Sequence, residues 1–322
     1  MKILIVSGSR ADRGLLEPVQ KALGCEMVSV DQEGSLPVEI AANLTSVIGK
    51  VGAQMWRHEP DLIMILGDRY EIMQTAIVAT IYGIPIAHIA GGDITEGSYD
   101  NQFRHAITKL SHIHFTLSED SAARVRSMGE ENVHVVGSPG LDGIADNLKS
   151  REELDLADRN ILVCHYPATL GDVKEFDEVL AAVDEIDARK IFVLPNSDVG
   201  SDYAREKLKG RRYVYEGLSR RDFLSILKEC DAMVGNSSAG LHEAPSLQTP
   251  TVNIGDRQKG RLSGASVIHC EAEKGAIVSA INKAMTGTFI YDNPYGDGNA
   301  SKRIAEILKD YKPGRVKRWI ST

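Results

Sequence analysis

The sequence predicts an α/β protein made of two Rossmann-like, doubly wound domains whose parallel sheets face one another across a cleft. Short apolar runs alternate with amphipathic segments along the chain, and this pattern restarts near the middle. The runs are continuously apolar, which indicates strands covered on both faces, as in parallel sheets. The length of 322 residues also fits about two domains of ~150 residues each.

The first half contains five predicted strands with helices between them. The strands are Lys2–Val6, Asp61–Leu66, Ile84–Ile89, His112–Leu117 and Val133–Val136. The helices are Gly14–Leu23, Glu71–Tyr82, Asn101–Leu110 and Glu119–Met128. Polar residues cluster directly after three of the strands, at 7–10, 67–69 and 90–93. Because ligands bind at the carboxyl ends of the strands in such sheets, we expect a site along this edge.

The pattern restarts after a charged stretch at 147–160, which is the predicted linker. The strands of the second half are Ile161–Cys164, Ile191–Leu194, Tyr213–Tyr215, Ala232–Val234, Thr251–Ile254 and Val267–His269. Its helices are Val173–Ile186, Arg220–Cys230, Glu273–Met285 and a last one at Ala300–Leu308. We therefore expect one domain at 1–150 and a second at 151–298. A C-terminal helix and tail at 299–322 would pack back on the first domain.

Composition excludes several classes of protein. The net charge of −8 lacks the basic field that nonspecific nucleic-acid binding needs. No stretch approaches ~20 apolar residues, and the first strand is too short for a signal peptide, so we expect a cytoplasmic protein without a membrane partner. The four cysteines stand singly, without a CxxC pair, so neither a metal nor a redox cofactor is predicted.

Carboxylates gather after two strands of the first half. The segment 67–71 reads Gly-Asp-Arg-Tyr-Glu, and a Gly-rich loop at 88–100 precedes Arg104. Loop carboxylates near a cleft suit proton transfer, although the first of them could instead cap the following helix. The candidate catalytic residues are Asp68, Asp93, Glu96 and Asp100, with Arg69 and Arg104 as candidate substrate contacts.

Anion-binding features recur in both halves. Small residues and Arg10 follow the first strand, where a helix N-terminus would favour a phosphate. In the second half, a Gly-Asn-Ser-Ser-Ala-Gly turn at 235–240 opens a helix, and 255–261 carries three cations. A plain turn and a solvated charge cluster are the alternative interpretations. The second-half candidates for substrate binding are His165, Asn196, Ser237, Ser238, Glu243 and Arg257.

Taken jointly, these segments resemble the hydrolysing UDP-N-acetylglucosamine 2-epimerases. The matching motifs are Ser-Arg-Ala-Asp at 9–12, Gly-Asp-Arg at 67–69, Arg-His-Ala-Ile-Thr-Lys-Leu-Ser at 104–111, Gly-Asn-Ser-Ser at 235–238, Gly-Asp-Arg-Gln-Lys-Gly-Arg at 255–261 and Asn-Pro-Tyr-Gly-Asp-Gly-Asn-Ala at 293–300. They span nearly the whole chain in the family's order. Each motif alone is unspecific, but their combination is specific.

The resemblance implies a GT-B-like fold, with the substrate between two Rossmann-like domains. In that family the acids that match Asp68 and Asp100 are catalytic, and the residue that matches Glu243 contacts the ribose. The nucleotide is held at positions that match Arg10, Ser237, Ser238 and Arg257. The implied reaction eliminates the nucleotide to give a glycal and then adds water, without a metal or redox cofactor. Homo-dimers or tetramers are implied as well.

The chain also departs from the family pattern. Ala90 stands where the sialic-acid branch has Glu, and Asp93 or Glu96 is a candidate replacement. The family's His-Pro appears as Tyr166-Pro167, with His165 one place earlier. Thr-Glu-Gly at 95–97 resembles relatives that act on 2,4-diacetamido sugars for legionaminic acid. UDP-2,4-diacetamido-2,4,6-trideoxyglucose is therefore the second candidate substrate.

A nonhydrolysing epimerase, a GT-B glycosyltransferase and a catalytically silent nucleotide-sugar binder remain alternatives.

Overall fold

The structure is a computed structural model that describes residues 1–31, 37–95, 100–166, 174–194 and 201–317, apart from the side chains of residues 10, 37 and 201. The chain divides into two compact units. The first unit comprises Met1–Asp93, Tyr99–Asp142 and Tyr295–Thr322. The second unit comprises Ile94–Ser98 and Gly143–Pro294.

The first unit is built on a six-stranded parallel sheet with the order β2-β1-β3-β4-β5-β6. Its strands are β1 (Ile3–Ser7), β2 (Glu26–Ser29), β3 (Leu62–Leu66), β4 (Ile86–Ile89), β5 (Ile113–Thr116) and β6 (Val133–Val135). Its helices are α1 (Arg10–Leu23), α2 (Pro37–His58), α3 (Tyr70–Ile81), α4 (Asp100–Leu110), α5 (Glu119–Ser127) and α11 (Ala300–Asp310). The strand order reverses between β1 and β3, and ligands of doubly wound sheets bind at such a point.

The apolar strands account for the core of this unit. All five residues of β3, Leu-Ile-Met-Ile-Leu, are buried, as are all four residues of β4 and of β5. Side chains on one face of the sheet pack with α2, α3 and α4 in a cluster that includes Val47, Ile72 and Ile107. Burial on both faces confirms the parallel sheet that the continuous apolar runs predict.

The second unit contains the other six-stranded parallel sheet, in the order β12-β11-β10-β7-β8-β9. Its strands are β7 (Asn160–Cys164), β8 (Arg189–Val193), β9 (Val214–Tyr215), β10 (Ala232–Gly235), β11 (Thr251–Ile254) and β12 (Val267–Cys270). Its helices are α6 (Glu175–Asp184), α7 (Ser201–Leu208), α8 (Arg220–Glu229), α9 (Ala239–His242) and α10 (Lys274–Thr286). Counted from β7, this is the dinucleotide-binding order 3-2-1-4-5-6, with its switch point between β7 and β10.

The prediction of two doubly wound parallel-sheet domains is confirmed, although some elements were missed. The edge strand β2 is only half-buried and begins with Glu26, so it lacks the apolar run that identifies the central strands. The long helix α2 and the short helix α7 were also missed. Among the described residues, no helix is long and apolar enough to cross a membrane.

Candidate active site

At the switch point of the first unit, Ser9 ends the turn after β1 and caps α1. The Oγ of Ser9 accepts a hydrogen bond of 3.1 Å from the backbone N–H of Asp12. Burial raises the pKa of Asp12 to about 6, and this effect outweighs the nearby charge of Arg69. The Oδ2 atom of Asp12 has no hydrogen-bond partner within the described part of the chain. The backbone of Arg10 begins α1, while its side chain lies outside the described residues.

The turn after β3 presents Asp68 to a buried arginine. The Arg104 side chain, only 2% exposed, pairs with the carboxylate of Asp68, whose side chain is 22% exposed. Arg104 Nη1 also donates to Asp93 O at 2.7 Å and to Asn101 Oδ1 at 2.9 Å. The carboxylate of Asp68 is thus fixed on one side and accessible to a ligand. Arg104 lies one helical turn after Asp100, the first residue of α4, so both occupy one face of that helix.

The neighbouring Arg69 pairs with a buried acid in the first turn of α3. Its Nε and Nη2 atoms donate to the two carboxylate oxygens of Glu71, each at 3.2 Å. The Glu71 side chain is fully buried, whereas that of Arg69 is 24% exposed. A buried carboxylate needs such a charged partner. Arg69 therefore stabilises Glu71 in the first turn of α3.

Two of the predicted catalytic acids in the Gly-rich loop can be compared with Asp68. Asp93 is buried, and its Oδ1 accepts a 2.8 Å hydrogen bond from Ser121 Oγ. This partner ties the loop to α5. Asp100 is half-buried. Glu96 lies outside the described residues, so the structure gives no information on it.

His88 holds the turn that carries Asp68. Its Nε2 lies 2.8 Å from Gly67 O and must donate, because a carbonyl oxygen only accepts. Its Nδ1 lies 3.2 Å from the Thr108 hydroxyl on α4. Burial lowers the pKa of His88 to about 3, so the ring is neutral near pH 7. A neutral imidazole therefore links the turn after β3 to the helix that carries Arg104.

At the switch point of the second unit, Asn236 joins the ends of β7 and β10. Its side-chain amide accepts from Tyr166 N and donates to Tyr166 O, both at 2.7 Å. The preceding Gly235 has a φ of 140°, and a Cβ there would lie 2.2 Å from Cys164 O. Only glycine fits this approach. The half-exposed Ser237 and Ser238 follow at the start of α9.

The cationic loop at 255–261 packs on that serine turn. Arg257 Nη1 and Gln258 Nε2 both donate to Asn236 O, at 3.0 and 2.7 Å. Gln258 is buried, while Arg257 is half-buried. The structure therefore brings Arg257 beside the predicted serine residues. A guanidinium next to two hydroxyl groups is suited to a diphosphate.

The other residues of the second unit that were predicted to bind substrate lie in different environments. His165 is buried at the end of β7, stacks on Phe176 with ring centroids 6.1 Å apart, and has no hydrogen-bond partner for Nδ1 among the described residues. Burial, followed by the charge of Arg257, lowers its pKa to about 3. Glu243 is buried and lies 3.3 Å from Arg220 Nη1. Asn196 lies outside the described residues.

Sequence reasoning missed the residues that hold these groups in place. Ser121, Asn236 and Gln258 carry no charge, and their roles depend on contacts between segments that are distant in sequence. Glycine and polar residues at strand ends were the available signal for Asn236. No local pattern identifies Ser121.

The two switch points, each bordered by charged or hydroxyl side chains, are the candidate ligand sites of an α/β protein with two Rossmann-like units. The model of the UDP-N-acetylglucosamine 2-epimerase family matches residues 1–309. The chain therefore belongs to the UDP-N-acetylglucosamine 2-epimerase family.

Individual relatives agree with this assignment. The polysialic acid biosynthesis protein P7 of Escherichia coli is 39% identical over 282 residues, which cover 80% of this chain and 72% of that protein. The hydrolysing UDP-N,N'-diacetylbacillosamine 2-epimerase of Legionella pneumophila is 32% identical over 362 residues, covering 96% of this chain and 95% of that protein. The crystal structure of UDP-GlcNAc 2-epimerase from Neisseria meningitidis bound to UDP-GlcNAc superimposes with a TM-score of 0.79 at 20% identity, covering 97% of this chain and all of that one. This likeness confirms the GT-B-like fold class.

Proposed function

We propose that this enzyme is a hydrolysing 2-epimerase that converts UDP-N-acetylglucosamine and water to N-acetylmannosamine and UDP. The observation that carries the proposal is the Asp68–Arg104 pair, in which a buried arginine holds a partly exposed carboxylate. A base of this kind is fixed in position before the substrate arrives. The second unit supplies serine residues and Arg257 for the diphosphate.

The reaction proceeds by elimination followed by hydration. A carboxylate removes the C2 proton, the C1–O bond to UDP breaks, and the electron pair of the C2–H bond forms the C1–C2 double bond of a glycal. Water then adds at C1 while a proton returns to the opposite face of C2. The C2–H bond beside an amide is barely acidic, so the base and the stabilised leaving group must act together.

We assign the proton-transfer roles to Asp68 and Asp100. Asp68 combines a fixed position with an accessible carboxylate, and Asp100 begins the helix that carries Arg104. Asp93 is buried and bonded to Ser121, which suits a residue that supports the loop. Arg257, Ser237 and Ser238 hold the diphosphate, and Glu243 holds the ribose.

A second substrate has a specific observation in its favour. The Legionella pneumophila relative that spans 96% of this chain is named for UDP-N,N'-diacetylbacillosamine, a 2,4-diacetamido sugar nucleotide. The same elimination and hydration would apply to it, since its C1 and C2 carry the same groups. Only the recognition of the sugar at C4 and C6 would differ.

Incubation in deuterated water, followed by proton NMR, tests the proposal. Free N-acetylmannosamine with deuterium at C2, together with UDP, is the expected product from UDP-N-acetylglucosamine. Turnover of the 2,4-diacetamido analogue alone would select the second substrate. Release of an epimerised UDP-sugar would contradict hydrolysis and select the nonhydrolysing reaction. Transfer of the sugar to an added acceptor without C2 exchange would select a glycosyltransferase.

A further inference from the structure

Arginine side chains hold four consecutive residues of the Gly-rich loop. Arg124 donates to Gly92 O, and Arg104 donates to Asp93 O at 2.7 Å. Within the second unit, Arg261 Nε donates to Ile94 O at 2.6 Å and Arg261 Nη2 to Thr95 Oγ1 at 2.8 Å. The proposed mechanism uses Arg104 beside Asp68, but it assigns nothing to Arg261.

Arg261 makes a third contact, with Gln258, which in turn contacts the serine turn. Its Nη1 donates to Gln258 Oε1 at 2.7 Å, and Gln258 Nε2 donates to Asn236 O at 2.7 Å. Both Gln258 and Thr95 are buried, at 1% and 2% exposure, so neither readily exchanges these contacts for water. One guanidinium thus joins the turn that carries Ser237 to the segment 94–95.

The three acceptors of Arg261 require a planar fork. Its Nε, Nη1 and Nη2 atoms each donate to a different group: a backbone carbonyl, a side-chain amide and a hydroxyl. A lysine ammonium is a point charge and cannot reproduce this fixed arrangement. The segment 94–95 directly follows Asp93, whose backbone carbonyl oxygen accepts from Arg104, the partner of Asp68.

We propose that Arg261 is a positioning residue that fixes the segment 94–95 to the serine turn without contacting the substrate itself. This inference rests on the proposed function, because it assigns Arg261 to the chemical step rather than to nucleotide affinity. Arg257, four residues earlier in the same loop, is assigned instead to nucleotide affinity.

The first test separates kcat from UDP affinity. In Arg261→Ala, kcat should fall at least tenfold while the Kd for UDP changes less than threefold. Arg261→Lys should recover little of the loss, whereas added guanidinium ion should restore part of it in Arg261→Ala. The matched control is Arg211→Ala, which removes an arginine bonded to Asp184 at 2.6 and 2.8 Å and should leave kcat unchanged. An unchanged kcat in Arg261→Ala, or equal losses of kcat and UDP affinity, overturns the proposal.

A double-mutant cycle with Thr95→Val tests the named contact. Thr95→Val removes the hydroxyl that accepts from Arg261 and should slow the otherwise unaltered enzyme about fivefold, the effect of one hydrogen bond. In the Arg261→Ala background the same change should have less than a twofold effect. Equal effects in both backgrounds would show that the contact does not matter. This cycle remains informative if Arg261→Ala folds poorly, because Thr95→Val alone must slow the reaction.

A measurement without turnover keeps this inference separate from the proposed function. Hydrogen–deuterium exchange of peptides that cover residues 90–103 should be faster in Arg261→Ala than in the unaltered protein, while peptides from β3 stay unchanged. Failure of the unaltered protein to turn over any UDP-sugar would reject the proposed function, and the exchange result would still decide whether Arg261 fixes the loop. Equal exchange in both proteins overturns the positioning role.

Discussion

A buried guanidinium needs acceptors for its N–H groups, and Arg104 obtains them from the acid-bearing segments of the first unit. It pairs with Asp68 and donates to Asp93 O and to Asn101 Oδ1. Burying an arginine is costly unless it is paired and hydrogen-bonded, so the folded first unit needs these contacts to Arg104. The orientation of the partly exposed Asp68 carboxylate is therefore set by a buried side chain.

At the residue scale, Arg257→Ala tests the nucleotide-binding role of the second unit. Removing one charge-assisted contact should weaken UDP binding by roughly 1.5–3 kcal/mol, which is about 10- to 150-fold in Kd. Isothermal titration with UDP measures the change. Lys274→Ala removes a cation that pairs with Glu185 and should leave UDP affinity unaltered. If both variants bind UDP equally well, Arg257 is not a phosphate contact.

At the element scale, side-chain contacts stabilise helix α4 near both of its ends. Its first turns carry Asp100 and Arg104, and at its last turn Lys317 Nζ donates to Lys109 O at 2.6 Å. The same ammonium lies 2.5 Å from Glu130, whose side chain is 1% exposed. A cation at the C-terminus of a helix satisfies free carbonyl groups and the helix dipole. The C-terminal segment thus stabilises the helix that supports the proposed acids.

Glu130→Gln should destabilise the first unit by about 3 kcal/mol, because it leaves the Lys317 ammonium, which is only 14% exposed, and the partly exposed Lys109 without their anion. Urea denaturation at pH 7 measures the loss. Although burial raises the pKa of Glu130, hydrogen bonds from His114, Lys109 and Lys317 dominate and lower it to about 2. A lowered acid pKa means that this stabilisation is complete above the ordinary value of 4.5 and is lost as the pH falls toward 2.

The pH dependence supplies the control for this prediction. Between pH 4.5 and 2 the Glu130→Gln variant should lose less stability than the unaltered protein, since it has no such carboxylate to protonate. Glu119→Gln removes an exposed acid that lies 3.6 Å from Arg126 and should cost less than about 1 kcal/mol. Parallel pH profiles for the unaltered protein and Glu130→Gln would refute the role of Glu130.

At the scale of the whole molecule, the sequence predicts the sheets well and their supporting contacts poorly. Continuous apolar runs such as β3 identify central strands because burial on both faces demands them. The same reasoning located Asp68, Ser237 and Arg257 at strand ends. It could not identify Arg261 as a positioning residue, because its partners Ile94 and Thr95 lie more than 160 residues away. Long-range hydrogen bonds leave no periodic signal in the sequence.

The most direct test of the central claim is the fate of the C2 proton of UDP-N-acetylglucosamine in deuterated water with Asp68→Asn, followed by NMR. We expect C2–H loss and UDP release both to fall by about 10²- to 10⁴-fold, the usual contribution of a general base, while UDP affinity stays near that of the unaltered enzyme. Asp120→Asn, which changes an exposed acid on α5, should react normally. Full C2–H exchange and UDP release by Asp68→Asn would show that the carboxylate held by Arg104 is not the base.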